Sequence, residues 1–324
     1  MIYSFEKSDP AASDFIEILE ANDVDYELID RDRSVVRILG AADTEIGKKL
    51  HEVYEKRNKL TLVHKPENEI FCDFKDRTHL KIIAGPCSVE SDEQIAAVVS
   101  YLKENGIQYI RGGAYKPRTS PESFQGMGET GLRIISKQAH EAGLKVVSEV
   151  MDKSQIDILC RYADVIQVGS RNMFNYTLLT ALGSIDKPVL LKRGMAATID
   201  EWLKAAQYIS RGGNDFIILC ERGIRTFEPQ TRNTLDIAAI HLAKKLSGLP
   251  VIADPSHAAG RSDLVIPLAM AAVASGADGI MVEIHPEPES ALSDREQALS
   301  FSQFDRLLEN LKSIHPTEPQ DYRG

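Results

Sequence analysis

The sequence predicts an α/β protein in which a small ferredoxin-like βαββαβ domain precedes a (β/α)8 (TIM) barrel. Two patterns predict this fold: six short elements alternate before residue 66, and eight runs rich in β-branched residues alternate with helical patterns after residue 79. As a third observation, stretches that contain glycine or charged residues follow the ends of seven of those eight runs. At 324 residues, the chain is long enough for one large domain and one small domain.

The N-terminal domain is predicted to span residues 1–65. Its strands are predicted at 2–6, 25–30, 35–39 and 60–64, and its helices at 11–21 and 44–56. Elements in this order form a four-stranded sheet with two helices on one face. Residues 66–79 are polar and of mixed charge, so we interpret them as a linker to the catalytic domain, residues 80–324.

The eight runs of the main domain are too apolar for surface strands, and their alternation with helices is typical of a closed parallel barrel. They cover residues 80–84, 107–111, 145–149, 165–168, 189–192, 216–220, 251–253 and 279–283. Capping-box pairs indicate helix starts at Ser91 with Gln94, Thr198 with Glu201, and Ser293 with Glu296. An open doubly wound sheet is the alternative, but eight units and the lack of a G-x-G-x-x-G after the first run disfavour it.

Composition excludes several classes of function. Lys and Arg number 38 against 48 Asp and Glu, a net charge of −10, which argues against nucleic acid or an anionic membrane as a partner. No apolar run approaches the ~20 residues that span a bilayer, and the first nine residues lack the features of a signal peptide, so we expect a cytoplasmic protein. The four cysteines, Cys72, Cys87, Cys160 and Cys220, have no paired spacing and fit a reducing compartment.

Positive side chains collect at the ends of the predicted strands and in the segments that follow them. They are Arg111, Lys116, Arg118, Arg171, Lys192, Arg193, Arg222, Arg225 and Arg261. Because barrel strands all end at one rim, these cations would crowd together on an acidic protein. Guanidinium and ammonium groups bind phosphate and carboxylate, so the cluster predicts a ligand with several negative charges. The alternative is that individual cations pair with local acids such as Glu149, Glu221, Asp254 or Glu283.

A second set of residues has the chemistry of a metal site. Cys87, His257, Glu283 and Asp294 follow the first, seventh and eighth predicted strands, and the first and eighth strands of a closed barrel are neighbours. A thiolate, an imidazole and two carboxylates suit Mn²⁺, Fe²⁺, Co²⁺ or Zn²⁺ better than Ca²⁺. Each residue also has an interpretation that involves no metal. Cys87 could be a small buried hydrophobic residue, and His257 could cap a helix or bind phosphate. Glu283 could pair with an arginine at the rim, and Asp294 could be an acid in the first turn of a helix.

Five segments together resemble one enzyme family. They are Ala84-Gly85-Pro86-Cys87-Ser88, residues 113–121 (Gly-Ala-Tyr-Lys-Pro-Arg-Thr-Ser-Pro), Leu191-Lys192-Arg193-Gly194, residues 220–227 (Cys-Glu-Arg-Gly-Ile-Arg-Thr-Phe) and Asp254-Pro255-Ser256-His257. The chain thereby resembles the 3-deoxy-D-arabino-heptulosonate 7-phosphate (DAHP) synthases of the type I beta branch. The resemblance covers residues 80–313, and the N-terminal domain is similar to the ferredoxin-like regulatory module of some members.

The resemblance implies a transferase that condenses phosphoenolpyruvate with D-erythrose 4-phosphate and releases phosphate, the first step of the shikimate pathway to chorismate and the aromatic amino acids. It implies that Cys87, His257, Glu283 and Asp294 bind a divalent metal ion, and that Lys116, Cys87 and His257 are catalytic. It implies phosphoenolpyruvate binding by Arg111, Lys116, Arg171, Lys192 and Arg222, and erythrose 4-phosphate binding by Lys116, Pro117, Arg118 and Thr119. Lys116 is the proposed proton donor to the nascent alkoxide, with Glu149 as a weaker candidate for proton transfer.

Two other functions are compatible with parts of the sequence. The related 3-deoxy-D-manno-octulosonate 8-phosphate synthases use arabinose 5-phosphate, but they usually carry a Lys-Ala-Asn-Arg-Ser type loop where this chain has Lys116-Pro117-Arg118-Thr119-Ser120. The chain could instead act as a regulatory subunit that binds a partner such as chorismate mutase through residues 1–65. For the enzyme, the resemblance implies a homo-oligomer, commonly a tetramer, and the N-terminal domain serves either assembly or feedback inhibition by tyrosine or phenylalanine.

Overall fold

The computed structural model describes residues 2–4, 16–17, 19–20, 26–30, 35–38, 68–116, 122 and 124–314. The chain divides into two compact units, Met1–Glu67 and Asn68–Gly324. Within the described residues, no helix is both long enough and apolar enough to cross a membrane.

The N-terminal unit contains a three-stranded antiparallel sheet. Its strands are β1 (Ile2–Ser4), β2 (Tyr26–Asp30) and β3 (Val35–Ile38), in the order β1-β3-β2. The predicted hairpin is confirmed, because β2 and β3 pair antiparallel with Tyr26 opposite Ile38. Residues 16–17 and 19–20 are helical, as predicted for 11–21, and Leu19 is buried. The predicted helix 44–56 and strand 60–64 lie outside the described residues.

The larger unit is the predicted closed barrel of eight parallel strands. The strands are β4 (Lys81–Gly85), β5 (Tyr109–Arg111), β6 (Lys145–Val150), β7 (Val165–Val168), β8 (Val189–Lys192), β9 (Ile217–Glu221), β10 (Val251–Ala253) and β11 (Gly279–Glu283). Each strand pairs with the next, and β11 pairs with β4 to close the barrel. In that closing pair, Glu283 lies opposite Gly85, which brings the first and last units of the barrel side by side.

Helices surround the barrel because each presents an apolar face to the β-branched outer surface of the strands. They are α1 (Glu69–Lys75), α2 (Asp92–Glu104), α3 (Glu129–Ala142), α4 (Ile156–Tyr162), α5 (Tyr176–Leu182), α6 (Ile199–Arg211), α7 (Ile237–Ser247), α8 (Pro255–Ala259), α9 (Val265–Ala274) and α10 (Phe301–Lys312). Short 3₁₀ helices lie at Lys153–Gln155, Ser170–Asn172, Ser262–Leu264 and Pro288–Ser290.

Two of the three predicted helix starts are confirmed. The Ser91 hydroxyl accepts from the Gln94 amide at the start of α2, and Thr198 forms the full capping box with Glu201 at the start of α6. The prediction at Ser293 is wrong, because its hydroxyl is buried against Ser88 at 2.6 Å and no helix begins there. The following helix, α10, starts later, at a capping box formed by Ser300.

The segment that the sequence analysis interprets as a linker contains α1, which packs against the floor of the barrel. Phe71 and Phe74 are three residues apart, so one helical face carries both, and each is buried. The Phe74 ring lies 5.0 Å from the Tyr109 ring at the start of β5, and Asp73 accepts a hydrogen bond from the Tyr109 hydroxyl at 2.6 Å. The average composition of residues 66–79 is polar, so the sequence does not reveal that these two side chains are buried. Because they pack into the barrel, this stretch belongs to the barrel unit.

Candidate active site

Four predicted ligands meet at the carboxyl ends of β4, β10 and β11. Glu283 ends β11, His257 lies in α8 directly after β10, and Cys87 and Asp294 lie in the loops after β4 and β11. Gly85, at the end of β4, lets the backbone of Arg111 on β5 lie close, because a Cβ at that position would lie 2.1 Å from the Arg111 carbonyl oxygen and the backbone there has a φ of +152°. One donor atom from each of the four side chains lies within 4.8 Å of the other three.

The donor atoms have the spacing and chemistry of a site for a divalent ion. Cys87 Sγ lies 3.0 Å from Oδ2 of Asp294, and His257 Nε2 lies 3.3 Å from Oε1 of Glu283. Cys87 and Glu283 are 5% and 1% exposed, so a bound ion would be shielded from water on their side, whereas the Asp294 side chain is 22% exposed. One sulfur, one nitrogen and two carboxylate oxygens form a set of borderline softness, which fits a first-row transition metal.

The pKa shifts of the four groups are compatible with metal binding. Burial, together with the negative charge of Glu283, raises the pKa of the Cys87 thiol to about 12, so this sulfur is protonated at neutral pH until a cation replaces the proton. Burial lowers the pKa of His257, which keeps the imidazole neutral and able to bind metal. Although burial opposes their ionisation, nearby donors and cations hold the pKa values of Glu283 and Asp294 below their ordinary values.

Asp254 fixes the orientation of the histidine. Its Oδ2 lies 2.7 Å from Nδ1 of His257, and its Oδ1 accepts the His257 backbone N–H at 3.0 Å. With Nδ1 engaged in this way, Nε2 is the ring atom that faces the cluster. The same Oδ2 accepts a hydrogen bond from Nζ of Lys192 at 2.5 Å. One buried carboxylate therefore connects a predicted metal ligand with a predicted anion-binding lysine.

The predicted substrate-binding cations lie beside this cluster. Lys116 Nζ donates to Sγ of Cys87 at 2.9 Å and to the Cys87 carbonyl oxygen at 3.0 Å. Arg111 Nη1 donates to Oε1 of Glu283 at 2.5 Å. Arg222, which directly follows β9, is 4% exposed. Among the described residues, Nε of Arg111 and Nη1 of Arg222 are buried without a hydrogen-bond partner. Buried guanidinium donors left in this way are suited to an anionic ligand.

Other members of the predicted cation set have different surroundings. Arg193 forms ion pairs with Glu221 and Asp236, both at 2.9 Å, and therefore has a structural partner on each side. Arg261 pairs with Asp263 at 2.7 Å. Arg171 and Arg225 are exposed after β7 and β9. The predicted erythrose 4-phosphate residues Pro117, Arg118 and Thr119 lie outside the part of the chain that the structure describes.

Sequence reasoning missed two polar residues that contact the cluster. Gln297 Nε2 donates to Oε2 of Glu283 at 2.6 Å, and Arg232 Nη1 lies 3.4 Å from Oδ1 of Asp294. Both residues line an open cleft of about 820 Å³ that also exposes Asp294. No strand end or spacing pattern points to either residue, so only the folded arrangement reveals them.

These features define a class of protein: a (β/α)8-barrel enzyme with a possible metal cluster and buried cations at the carboxyl rim of the barrel. The particular family follows from a family model for the DAHP synthetase I family, which matches residues 72–317. The chain belongs to this family.

Individual relatives agree with this assignment. A phospho-2-dehydro-3-deoxyheptonate aldolase of Thermotoga maritima is 54% identical over 236 residues, which are 73% of this chain and 70% of that protein. A 2-dehydro-3-deoxyphosphooctonate aldolase of Syntrophotalea carbinolica is 31% identical over 251 residues, which are 72% of this chain and 90% of that protein.

Two solved structures from Thermotoga maritima are also similar. The crystal structure of phospho-2-dehydro-3-deoxyheptonate aldolase (DAHP synthase) has a TM-score of 0.72 at 42% identity, covering 97% of this chain and 96% of that chain. A truncated form of 3-deoxy-D-arabino-heptulosonate 7-phosphate synthase has a TM-score of 0.68 at 50% identity, covering 72% of this chain and 86% of that chain.

Proposed function

We propose that this enzyme is a 3-deoxy-7-phosphoheptulonate synthase, which condenses phosphoenolpyruvate with D-erythrose 4-phosphate to give DAHP and phosphate. The observation that carries the proposal is the contact of Lys116 with Cys87, which joins the anion-binding cations to the metal cluster at 2.9 Å. A site of this kind can hold an anionic substrate next to a Lewis acid. The reaction supplies two phosphorylated substrates and a carboxylate for the buried cations.

The reaction divides into steps that the side chains can support. C3 of phosphoenolpyruvate bonds to the aldehyde carbon, water adds at C2, and the C2–O bond to phosphate then breaks. We assign Arg111, Lys192 and Arg222 to binding phosphoenolpyruvate, with Arg171 contributing from the loop after β7. Their fixed positive charges would orient the carboxylate and phosphate before reaction, so that little reorganisation accompanies bond formation.

Lys116 is the proposed proton donor to the oxygen of the former aldehyde. Burial and the positive charge of Arg111 lower the pKa of its ammonium group. Once Cys87 has lost its proton to a metal ion, the negative charges of Cys87, Glu149 and Glu283 raise the pKa by more, so the group stays protonated. A protonated lysine beside the cluster can neutralise an alkoxide as it forms. We assign Pro117, Arg118 and Thr119, which follow Lys116 in sequence, to binding erythrose 4-phosphate.

Cys87, His257, Glu283 and Asp294 are the proposed ligands of a divalent ion. A bound Mn²⁺, Fe²⁺, Co²⁺ or Zn²⁺ would supply Lewis acidity toward the aldehyde oxygen. The mixed donor set is compatible with each of these four ions. In the protein itself, Cys87 and His257 act by holding the ion, which is the sense in which both are proposed to be catalytic.

The octulosonate synthases remain the nearest alternative activity. The heptulosonate assignment is supported by 54% identity to the Thermotoga aldolase, against 31% to the Syntrophotalea enzyme over a similar span. It is also supported by the Lys116-Pro117-Arg118-Thr119 sequence, which differs from the octulosonate-type loop.

Phosphate release from phosphoenolpyruvate tests the assignment. Metal-stripped protein would be assayed with erythrose 4-phosphate or arabinose 5-phosphate, before and after addition of Mn²⁺, and Cys87→Ser would serve as the ligand-deficient control. Turnover with erythrose 4-phosphate that requires Mn²⁺ supports the proposal. Preference for arabinose 5-phosphate would make the chain an octulosonate synthase, and inactivity of the metal-loaded protein with both sugars would favour a regulatory role.

For the N-terminal domain, residues 1–65, we propose a regulatory role within a cytoplasmic homotetramer. The order β1-β3-β2 supports a ferredoxin-like sheet, the kind of module that the sequence resemblance links to feedback control. Tyrosine or phenylalanine is the proposed inhibitor. Light scattering tests the tetramer, and titration of the activity with either amino acid tests the inhibition. If the activity responded to added chorismate mutase but to neither amino acid, the partner-binding alternative would be favoured.

A further inference from the structure

Each carboxylate of the metal cluster has one oxygen facing the cluster and the other held from outside. Oε1 of Glu283 lies 3.3 Å from Nε2 of His257 and also accepts from Nη1 of Arg111, whereas Oε2 accepts from Gln297 at 2.6 Å. Oδ2 of Asp294 faces Cys87 at 3.0 Å, whereas Oδ1 lies 3.4 Å from Arg232. The outer oxygens of both ligands therefore contact side chains that play no part in the proposed reaction.

Arg232 determines which end of the Gln297 amide faces Glu283. Arg232 Nη1 donates to Oε1 of Gln297 at 3.1 Å, so the amide oxygen is directed toward the arginine and the amide nitrogen toward the carboxylate. Gln297 is only 2% exposed, and a buried amide with both ends bonded in this way has one favourable orientation.

The backbone ties Gln297 to the other carboxylate. The Gln297 N–H donates to the Asp294 carbonyl oxygen at 3.2 Å, which closes a turn between the two residues. Asp294 itself has a φ of +50°, in the left-handed region that non-glycine residues adopt infrequently. A side chain that fixes one ligand therefore belongs to the turn that fixes the other.

We propose that Gln297, oriented by Arg232, is a positioning residue that makes Glu283 and Asp294 bind the divalent ion through one oxygen each. The inference rests on the metal site proposed above and extends it to residues outside the ligand set. A carboxylate that binds through both oxygens occupies two coordination positions, whereas one that binds through a single oxygen leaves a position free. Gln297 and Arg232 thereby preserve coordination positions for substrate oxygen or water.

One variant removes the contact of Gln297, a second removes both contacts of Arg232, and a third provides the control. Gln297→Leu removes the bond to Glu283 at similar side-chain size. Arg232→Met removes the bond that orients Gln297, and because Arg232 has 39% side-chain exposure this variant tests the proposal even if Gln297→Leu fails to fold. Arg261→Met removes one positive charge from the same cleft without touching the cluster.

The direction of the Arg232→Met effect separates positioning from simple electrostatics. Loss of a positive charge near a cation site tightens metal binding if only charge matters. If Arg232 acts by positioning the ligands, through Gln297 and through its contact with Asp294, the loss weakens binding instead. We expect Mn²⁺ affinity to fall about 10- to 100-fold in Gln297→Leu and to fall in Arg232→Met, as is typical when a group that orients a ligand is lost, while Arg261→Met does not weaken binding.

The measurements are made on metal-free full-length protein. Mn²⁺ dissociation constants come from competition with a chelator, and the absorption spectrum of the Co²⁺-loaded protein reports the coordination of the ion. Thermal unfolding of the metal-free variants shows whether Gln297 matters only for folding. We expect weaker Mn²⁺ binding and an altered Co²⁺ spectrum in both variants.

Parental affinity and a parental Co²⁺ spectrum in the folded variants would overturn the positioning role while leaving the metal site intact. An Arg232→Met variant that binds Mn²⁺ more tightly would also overturn it. Failure of the parent protein to bind either ion would overturn the metal site itself, and the positioning role with it.

Discussion

The carboxylate of Asp254 lies 2.7 Å from Nδ1 of His257 and holds the imidazole with Nε2 toward the three other candidate ligands. Because Asp254 is fully buried and also accepts from Lys192, its position is set from two sides. The imidazole is therefore already in a metal-binding orientation before any ion arrives.

Replacement of this carboxylate should weaken metal binding. We expect Asp254→Asn to lower Mn²⁺ affinity about 10- to 100-fold, because an amide bonds the imidazole less strongly and leaves Lys192 without its buried anion. Chelator competition measures the effect. Asp236→Asn, which removes the same charge from the ion pair with Arg193, is the control, and equal losses in the two variants would contradict the specific role of Asp254.

Metal binding should become stronger as the pH rises. Burial raises the pKa of Cys87 to about 12, so the thiol must release a proton to bind a metal, whereas the lowered pKa of His257 leaves that ring neutral already. Mn²⁺ affinity should therefore increase about tenfold per pH unit from about pH 7 to pH 8.5. In Cys87→Asp the new carboxylate has no proton to lose there, so its affinity should change little; equal slopes would rule out Cys87 as the proton source.

Lys116→Met should separate catalysis from metal binding. We expect the variant to fold and bind Mn²⁺ but to lose turnover about 10²- to 10⁴-fold, because it lacks the proposed proton donor. The phosphate-release assay measures turnover. Lys204→Met changes an exposed lysine on α6 and should keep parental activity. Near-parental turnover of Lys116→Met would exclude its role in proton transfer.

The contact of α1 with the barrel floor should contribute strongly to stability. Phe74 is fully buried against Tyr109, so Phe74→Ala should lower the free energy of unfolding by about 3–5 kcal/mol. Urea denaturation measures the change. Phe227→Ala removes an aromatic ring that is 99% exposed, and its effect should stay within about 0.5 kcal/mol. If both variants had the same stability, α1 would not be an integral part of the barrel unit.

The barrel could be predicted because a short run of neighbouring residues is enough to indicate each of its strands. Runs such as Val165–Val168 and Val189–Lys192 have the predicted bounds in the structure, since β-branched residues that are buried on both faces of a strand produce a continuous apolar pattern. The four-residue cluster could also be anticipated, because strand ends of a closed barrel converge on one rim. Parallel closure then makes neighbours of Cys87 and Glu283.

The missed features depend on contacts between distant segments. The average composition of residues 66–79 is polar, which predicts a linker. Phe71 and Phe74 become core residues only because the floor of the barrel covers them in the folded protein. Ser293 matches a capping-box pattern, but its hydroxyl contacts that of Ser88, which lies near the other end of the barrel domain in the sequence. Gln297 carries no motif, and its role depends on two partners that lie elsewhere in the chain.

The closing pair β11 and β4 also has a consequence for how the enzyme is made. Cys87 and Asp294 are 207 positions apart, so a growing chain exposes its thiol long before the last carboxylate has been synthesised. A complete ligand set exists only after the final strand has docked against the first. Because an ion that binds only the native state stabilises that state alone, a metal ion bound at the proposed site would stabilise the completed barrel and would not stabilise a partly synthesised one.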